Sequence, residues 1–142
     1  MTEHPETELT DTPSPDALAR IGRGLDDFNT EVTGIADHRP LAVLVRDPRN
    51  GEVTGGLSGR TSLGLLFIDL FYLPPDLRGS GLGSRILRMA EDEARLRGCR
   101  AGVLYTISFQ APDFYQRFGW EVFGRIPCNP PGTSRIFLSK SL

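Results

Sequence analysis

The sequence predicts a mixed α/β domain of the α+β kind, with a central, largely antiparallel, twisted sheet flanked by helices. Three observations lead to that class. Apolar side chains recur at helical spacing in Leu18, Ile21, Leu25 and Phe28 and again in Leu82, Gly83, Ile86, Leu87, Ala90 and Ala94, while β-branched and aromatic runs fill the stretches between and after them. Asp47-Pro48-Arg49-Asn50-Gly51 carries the residues that turn a chain back between antiparallel neighbours. Ile68-Asp69-Leu70-Phe71-Tyr72-Leu73 reads as a strand that stops at Pro74-Pro75, because proline offers no N–H to a continuing ladder.

Composition narrows the function classes. At 142 residues the chain suits one domain, expected over residues 6–142 after a polar, frayed start at Met1 to Pro5. With 39% hydrophobic and 24% charged residues it is an ordinary globular sequence. A net charge of −2 provides no basic surface for nucleic acid, so a small or neutral partner fits better. Cys99 and Cys128 match no zinc spacing and His4 and His38 are the only histidines, so neither a metal site nor a disulfide is expected. The sequence has no apolar run of about 18 residues and no basic-then-apolar leader. No membrane partner is therefore expected, and the cytoplasm is the default location.

Taken in order, Glu6 to Thr12 reads as a first edge strand. Ser14 as N-cap, Pro15 at the first helical position and Asp16 in the first turn open an amphipathic helix, which Gly22 and Gly24 could divide into two pieces. After a loop to Arg39-Pro40, Leu41 to Arg46 is apolar enough for a strand buried on both faces. Beyond the Asp47–Gly51 turn, Glu52 to Arg60 completes a hairpin whose Gly55-Gly56 pair suits a bulge or a close backbone approach. Ser62 to Leu73 is the next, long strand. The helix from Leu82 to Arg97 ends at Gly98, and its pairs Arg88/Asp92, Glu91/Arg95 and Glu93/Arg97 read as a solvated face. Arg100 to Ser108 is a strand, Pro112 opens a short helix with Phe114 and Tyr115, and Glu121 to Ile126 and Arg135 to Lys140 are the last strands.

Chemistry concentrates at the junction of the long strand and the second helix. Arg78-Gly79-Ser80-Gly81-Leu82-Gly83-Ser84 lets the backbone turn tightly, and it is also a helix N-terminus, where unpaired N–H groups and the helix dipole favour an anion such as phosphate. A P-loop would require Gly-Lys-Ser/Thr, and the loop has no lysine. A dinucleotide fingerprint would require a third glycine where Ser84 stands and an acidic residue about twenty positions on, near Tyr105. What remains is Arg-x-x-Gly-x-Gly over Arg78, Gly81 and Gly83. Taken alone, it leaves an ordinary strand-to-helix turn equally open.

The longer segment Tyr72-Leu73-Pro74-Pro75-Asp76-Leu77-Arg78-Gly79-Ser80-Gly81-Leu82-Gly83 resembles the coenzyme A pyrophosphate loop of the GNAT superfamily of N-acetyltransferases. Ala111-Pro112-Asp113-Phe114-Tyr115-Gln116-Arg117-Phe118-Gly119-Trp120 resembles that superfamily's second landmark, a short helix with Phe-Tyr followed by glycine and an aromatic residue. The resemblance spans roughly Leu41 to Leu142 and implies the GNAT-like acyl-CoA N-acyltransferase fold. It also implies acetyl-CoA as cosubstrate, held by Phe71, Tyr72, Leu73, Arg78, Gly79, Ser80, Gly81, Leu82, Gly83 and Ser84 together with Tyr115. Thr106-Ile107-Ser108-Phe109-Gln110-Ala111 is similar to a small bacterial subgroup that has an acidic residue where Tyr105 stands and an acidic, histidine-containing loop in place of Pro127–Ser134.

Acetylation of an amine by a thioester needs a neutral amine, donors for the developing oxyanion and a proton for the departing thiolate. Tyr115 is the candidate acid, since a phenol of pKa about 10 remains protonated at neutral pH, and the resemblance places it near the coenzyme sulfur. Asp69 is the candidate catalytic carboxylate, in an apolar strand and on the face of Phe67 and Phe71 if that strand is regular. A paired structural aspartate is the other reading, and His38 a weaker base. The expected function is acetyl transfer to a small-molecule amine, an antibiotic or a metabolite. The rivals are acetylation of a protein N-terminus or lysine, and a non-catalytic acyl-CoA sensor. Whether the chain works alone or as a homodimer is open at this stage.

Overall fold

The structure, a computed structural model, describes residues 3–142, which form two compact units, one ending at Ala36 and the other spanning Asp37–Leu142. The frayed start expected at Met1 to Pro5 lies partly, at Met1 and Thr2, outside the described residues. In the first unit, residues 3–14 have no helix or strand, so the edge strand expected over Glu6 to Thr12 does not form. Its single apolar side chain, Leu9, is fully exposed. Thr10 Oγ1 accepts from the backbone N–H of Thr12 at 3.0 Å, a local bond that competes with any ladder. Helix α1, Pro15–Thr33, starts as expected, with Ser14 Oγ accepting from the Ala17 N–H at 3.1 Å, and ends at Gly34 in the left-handed region. It runs unbroken through Gly22 and Gly24.

The second unit contains strands β1 Arg39–Arg46, β2 Val53–Ser62 and β3 Leu65–Tyr72, a 3₁₀ turn Pro75–Leu77 and helix α2 Leu82–Leu96. Strand β4 Ala101–Ile107, helix α3 Pro112–Arg117 and strands β5 Glu121–Pro127 and β6 Ser134–Ser141 follow. The six strands are ordered β1-β2-β3-β4-β6-β5. Only β3 and β4 run parallel, and α2 is the crossover between them.

Three expectations are corrected here. Strand β1 is half-buried, not buried on both faces, with Leu41, Val43 and Val45 inward and Leu44 exposed. The turn after β2 falls at Leu63-Gly64, so β2 runs on to Ser62. Both turn residues have positive φ, 48° and 85°, which matches the twist of a tight hairpin. The polar stripe of α2 is not simply solvated: Glu91 is buried, and Arg97 Nη1 reaches the Pro40 carbonyl at 3.0 Å and Thr61 Oγ1 at 3.1 Å. Asp92 pairs with Arg95 at i, i+3.

Of the two purposes expected of Gly55-Gly56, the close backbone approach is the one it serves: a Cβ on Gly56 would stand 2.2 Å from the Val43 carbonyl oxygen. Both glycines stay in register, and the extra residue of the β1–β2 ladder is the neighbouring Thr54. The core lies between the sheet and α2, where Leu57, Leu66, Ile86, Leu87, Trp120 and Leu138 are fully buried. Each such side chain contributes roughly 1.5–3 kcal/mol of transfer free energy.

Candidate active site

The parallel ladder between β3 and β4 ends at Ile68 and Leu104. Beyond it β3 continues against β2 to Tyr72, and β4 continues against β6 to Ile107. The sheet therefore forks, and each arm turns a strand edge without a ladder partner toward the gap. At the fork β3 carries a bulge: Ser58 pairs with Leu70 and Gly59 with Ile68, leaving Asp69 as the extra residue. One inserted residue shifts the in-and-out alternation of everything after it. Phe71 consequently turns back to the core side with Leu66 and Ile68, and the regular strand placing it with Asp69 and Phe67 is not what forms. Asp69 Oδ1 instead meets Arg60 Nη1 at 2.6 Å, half exposed, and the same guanidinium lies 4.4 Å from the Phe67 ring centroid.

The glycine loop follows the strand exit. Gly79 and Gly81 have φ of 79° and 86°, and their Cβ positions meet nothing within 4 Å, so the loop needs glycine for its backbone and presents a bare surface. Gly81 is the N-cap of α2 with no side-chain cap, and no acidic residue occupies the first turn. The free N–H groups at that end are thus left for an external acceptor. Arg78 folds back over the strand exit, its Nε donating to the Leu73 carbonyl at 2.8 Å and its guanidinium 5.8 Å from the exposed Tyr72 ring. Ser80 Oγ donates to the Leu77 carbonyl and Ser84 Oγ to that of Gly81, which hold the turn closed.

Helix α3 is presented by a polar lock. Gln110 Oε1 accepts from Thr106 Oγ1 at 2.8 Å and from the Ile107 N–H at 3.0 Å. Ser108 bonds Ser134 through both its backbone N–H and its hydroxyl. Pro112 then opens the helix. The Tyr115 ring is buried among Phe114 at 5.2 Å, Phe71 at 6.3 Å and Trp120 at 6.3 Å between centroids. Its hydroxyl makes no hydrogen bond among the described residues, whereas every fully buried side-chain N or O there is partnered, so the oxygen reaches the surface. Burial pushes the phenol up to about 12.

The structure thus brings Phe71, Leu73, Gly83, Phe114 and Tyr115 together, since the Phe114 ring meets those of Phe71 and Tyr115, and Phe114 and Leu73 both border the Cβ position of Gly83. Asp69 stands apart, with Arg60. A cavity of about 520 Å³ between β1 and α2, lined in part by Met89, Leu96 and Arg97, shares none of these residues. Sequence reading missed Arg60 as the partner of Asp69 and Gln110 as the acceptor that holds the approach to α3. The Thr106-x-Ser108-x-Gln110 spacing was visible, but not its role as a lock.

The site therefore combines a bare, uncapped helix N-terminus with a partly accessible phenol at a forked sheet. The model of the acetyltransferase (GNAT) family matches residues 7–120, and the chain belongs to that family of acetyltransferases. It is 35% identical over 132 residues to an acetyltransferase of Agrobacterium fabrum, covering 93% of this chain and 96% of the relative. It is 40% identical over 113 residues to the blasticidin-S acetyltransferase of Streptomyces morookaense, covering 78% and 83%. A crystal structure of an acetyltransferase from Agrobacterium tumefaciens superposes with a TM-score of 0.84 at 33% identity, covering 96% of this chain and 99% of that one. An acetyltransferase from Bacillus cereus gives 0.73 at 26% identity, covering 95% and 98%. Members of the family use acetyl-CoA as cosubstrate. No helix among the described residues is long and apolar enough to cross a membrane.

Proposed function

We propose that this acetyltransferase moves the acetyl group of acetyl-CoA onto a primary amine of a small molecule, an antibiotic or a metabolite, by direct attack of the amine. The observation that carries the reading is that Phe114 stands 3.4 Å from the Cβ position of Gly83, which sets the Tyr115 helix beside the start of α2 and the glycine loop at the fork. Acetyl-CoA supplies an activated acyl group in its thioester. The amides from Gly79 to Ser84, with Arg78, would hold the pyrophosphate, an assignment favoured by the open Cβ positions of Gly79 and Gly81 and the uncapped helix end. Phe71, Tyr72 and Leu73 would border the rest of the coenzyme along the free edge of β3.

Tyr115 holds its proton at the phenol oxygen for the departing sulfur. With the phenol pushed up to about 12 and a thiol ordinarily near 8.5, complete transfer to the thiolate runs uphill. The tyrosine therefore acts chiefly by hydrogen-bonding the sulfur as its charge develops. Asp69, half exposed beside Arg60, would orient the incoming amine and take its proton through water.

Blasticidin S is the first acceptor to try, because a relative named for its acetylation shares 40% identity. The test is release of free coenzyme A thiol from acetyl-CoA with a panel of amines that includes blasticidin S, against peptides with free N-termini and lysines. Turnover of small amines with inert peptides is expected. Turnover of peptides alone, or tight acetyl-CoA binding without turnover of anything, would overturn the reading.

A further inference from the structure

We propose that Glu91 and Trp120 are positioning residues for Tyr115, the buried carboxylate fixing the indole and the indole fixing the ring that presents the hydroxyl. The inference rests on the reading of Tyr115 as proton donor. Glu91 sits on the buried side of α2 among Leu87, Ala90 and Ala94, only 4% exposed, where the helix pattern calls for an apolar residue. Its Oε2 accepts from Trp120 Nε1 at 3.3 Å, and its Oε1 meets Lys140 Nζ at 2.6 Å and Arg95 Nη2 at 3.5 Å. A carboxylate held this way inside a protein cannot swing out without stranding charge, so it is a rigid anchor.

Trp120 is fully buried, and its Cη2 lies 2.6 Å from where a Cβ on Gly102 would stand, so β4 admits the indole only because it has glycine there. The backbone N–H of Trp120 donates to the Tyr115 carbonyl at 3.1 Å, and the two rings meet edge to face at 6.3 Å. Since the Tyr115 hydroxyl has no hydrogen-bond partner among the described residues, its ring is aimed by packing alone, against Phe71, Phe114 and Trp120. Of those neighbours only Trp120 has a polar handle, and Glu91 holds it. Because α2 begins at the glycine loop, the same anchor ties the spacing of loop and phenol to one side chain.

A double-mutant cycle tests this, with kcat read as release of coenzyme A thiol from acetyl-CoA and the amine that the panel shows to turn over fastest. Glu91→Leu should lower kcat by about tenfold to a hundredfold, as small misplacements of a reacting group do, with KM for acetyl-CoA little changed. Glu91→Gln keeps an acceptor for the indole N–H and should recover most of that loss. In a Tyr115→Phe background Glu91→Leu should cost nothing more, since it acts through the missing hydroxyl. Equal losses in both backgrounds, or an unchanged kcat in folded Glu91→Leu, would overturn the assignment. An unchanged kcat in Tyr115→Phe itself would instead remove the proton-donor reading on which it rests. If Glu91→Leu does not fold or no amine turns over, carbon-13 labelled tyrosine decides. The Tyr115 ring signals, identified by their loss in Tyr115→Phe, should shift or broaden in Trp120→Phe, which deletes the indole N–H and keeps an aromatic ring, and should stay near their wild-type positions in Glu91→Gln. Signals unmoved in Trp120→Phe, or moved as far in Glu91→Gln, would sink the proposal.

Discussion

Phe114 of α3 stands over the Cβ position of Gly83 of α2: a Cβ on the glycine would lie 3.4 Å from Cε1 and Cζ of the phenylalanine ring. The family resemblance assigns Gly83 to the coenzyme, and the structure adds a packing reason for the residue. A branched side chain there must push Phe114 away, and overpacking of this kind costs roughly 1–3 kcal/mol. Gly83→Val should lower the urea midpoint of unfolding accordingly, while Phe114→Leu in the same chain should restore part of the loss.

Gly81 is the complementary case, since its Cβ position is open but its φ is 86°. Gly81→Glu should cost about 1–2 kcal/mol of backbone strain and leave the chain folded. It also sets a carboxylate against the site assigned to the pyrophosphate. Calorimetric titration with acetyl-CoA should then show no binding, and an affinity close to wild type would remove the loop from coenzyme recognition.

Tyr115→Phe keeps the ring among Phe71, Phe114 and Trp120 and deletes only the hydroxyl. Stability should change by at most about 1 kcal/mol. If the hydroxyl donates to the departing sulfur, kcat at saturating acetyl-CoA should fall by about 10²- to 10³-fold with coenzyme affinity preserved. A fall of less than about threefold, far under that range, would exclude the role where chemistry limits turnover.

The same tyrosine predicts a pH dependence of folding. Its phenol is pushed up to about 12 by burial, so the folded state holds the proton more tightly than the unfolded chain, whose phenol titrates near 10. The contribution is fully present below about pH 10 and is lost as pH rises toward 12, roughly 3 kcal/mol over the two units. Chemical denaturation of wild type and Tyr115→Phe should diverge in slope only in that alkaline window, and absorbance of phenolate should lose one late-titrating step in the variant.

Asp69 and Arg60 separate a catalytic carboxylate from a structural one. With an N–O distance of 2.6 Å and about half of each side chain exposed, the pair adds little to stability. Asp69→Asn should therefore leave the melting temperature nearly unchanged. If Asp69 orders or deprotonates the amine, turnover should fall and the rising limb of the pH profile should move while acetyl-CoA affinity holds. Full turnover with an unmoved profile would make the pair purely structural.

Much of this was present in the sequence. Ser14-Pro15 and Gly34 define α1 through local capping, Pro74-Pro75 ends β3 because a proline cannot extend a ladder, and Gly98 closes α2. The Arg78–Gly83 and Phe114–Trp120 motifs marked the candidate site through their joint resemblance to the superfamily, since local geometry alone left Arg78–Gly83 open to being an ordinary strand-to-helix turn. Tertiary structure decided what depends on partners distant in the chain. Asp69 became a bulge only because β2 and β3 pair out of step by one residue, which turned Phe71 toward Tyr115 and left the carboxylate to Arg60. Glu91 reads as one more charged residue on a helix with Arg95 four places on, and only the arrival of Trp120 and Lys140, 29 and 49 residues later, makes it a buried anchor. A periodic pattern records which face a residue takes, but burial and pairing depend on which side chains meet it when the sheet closes.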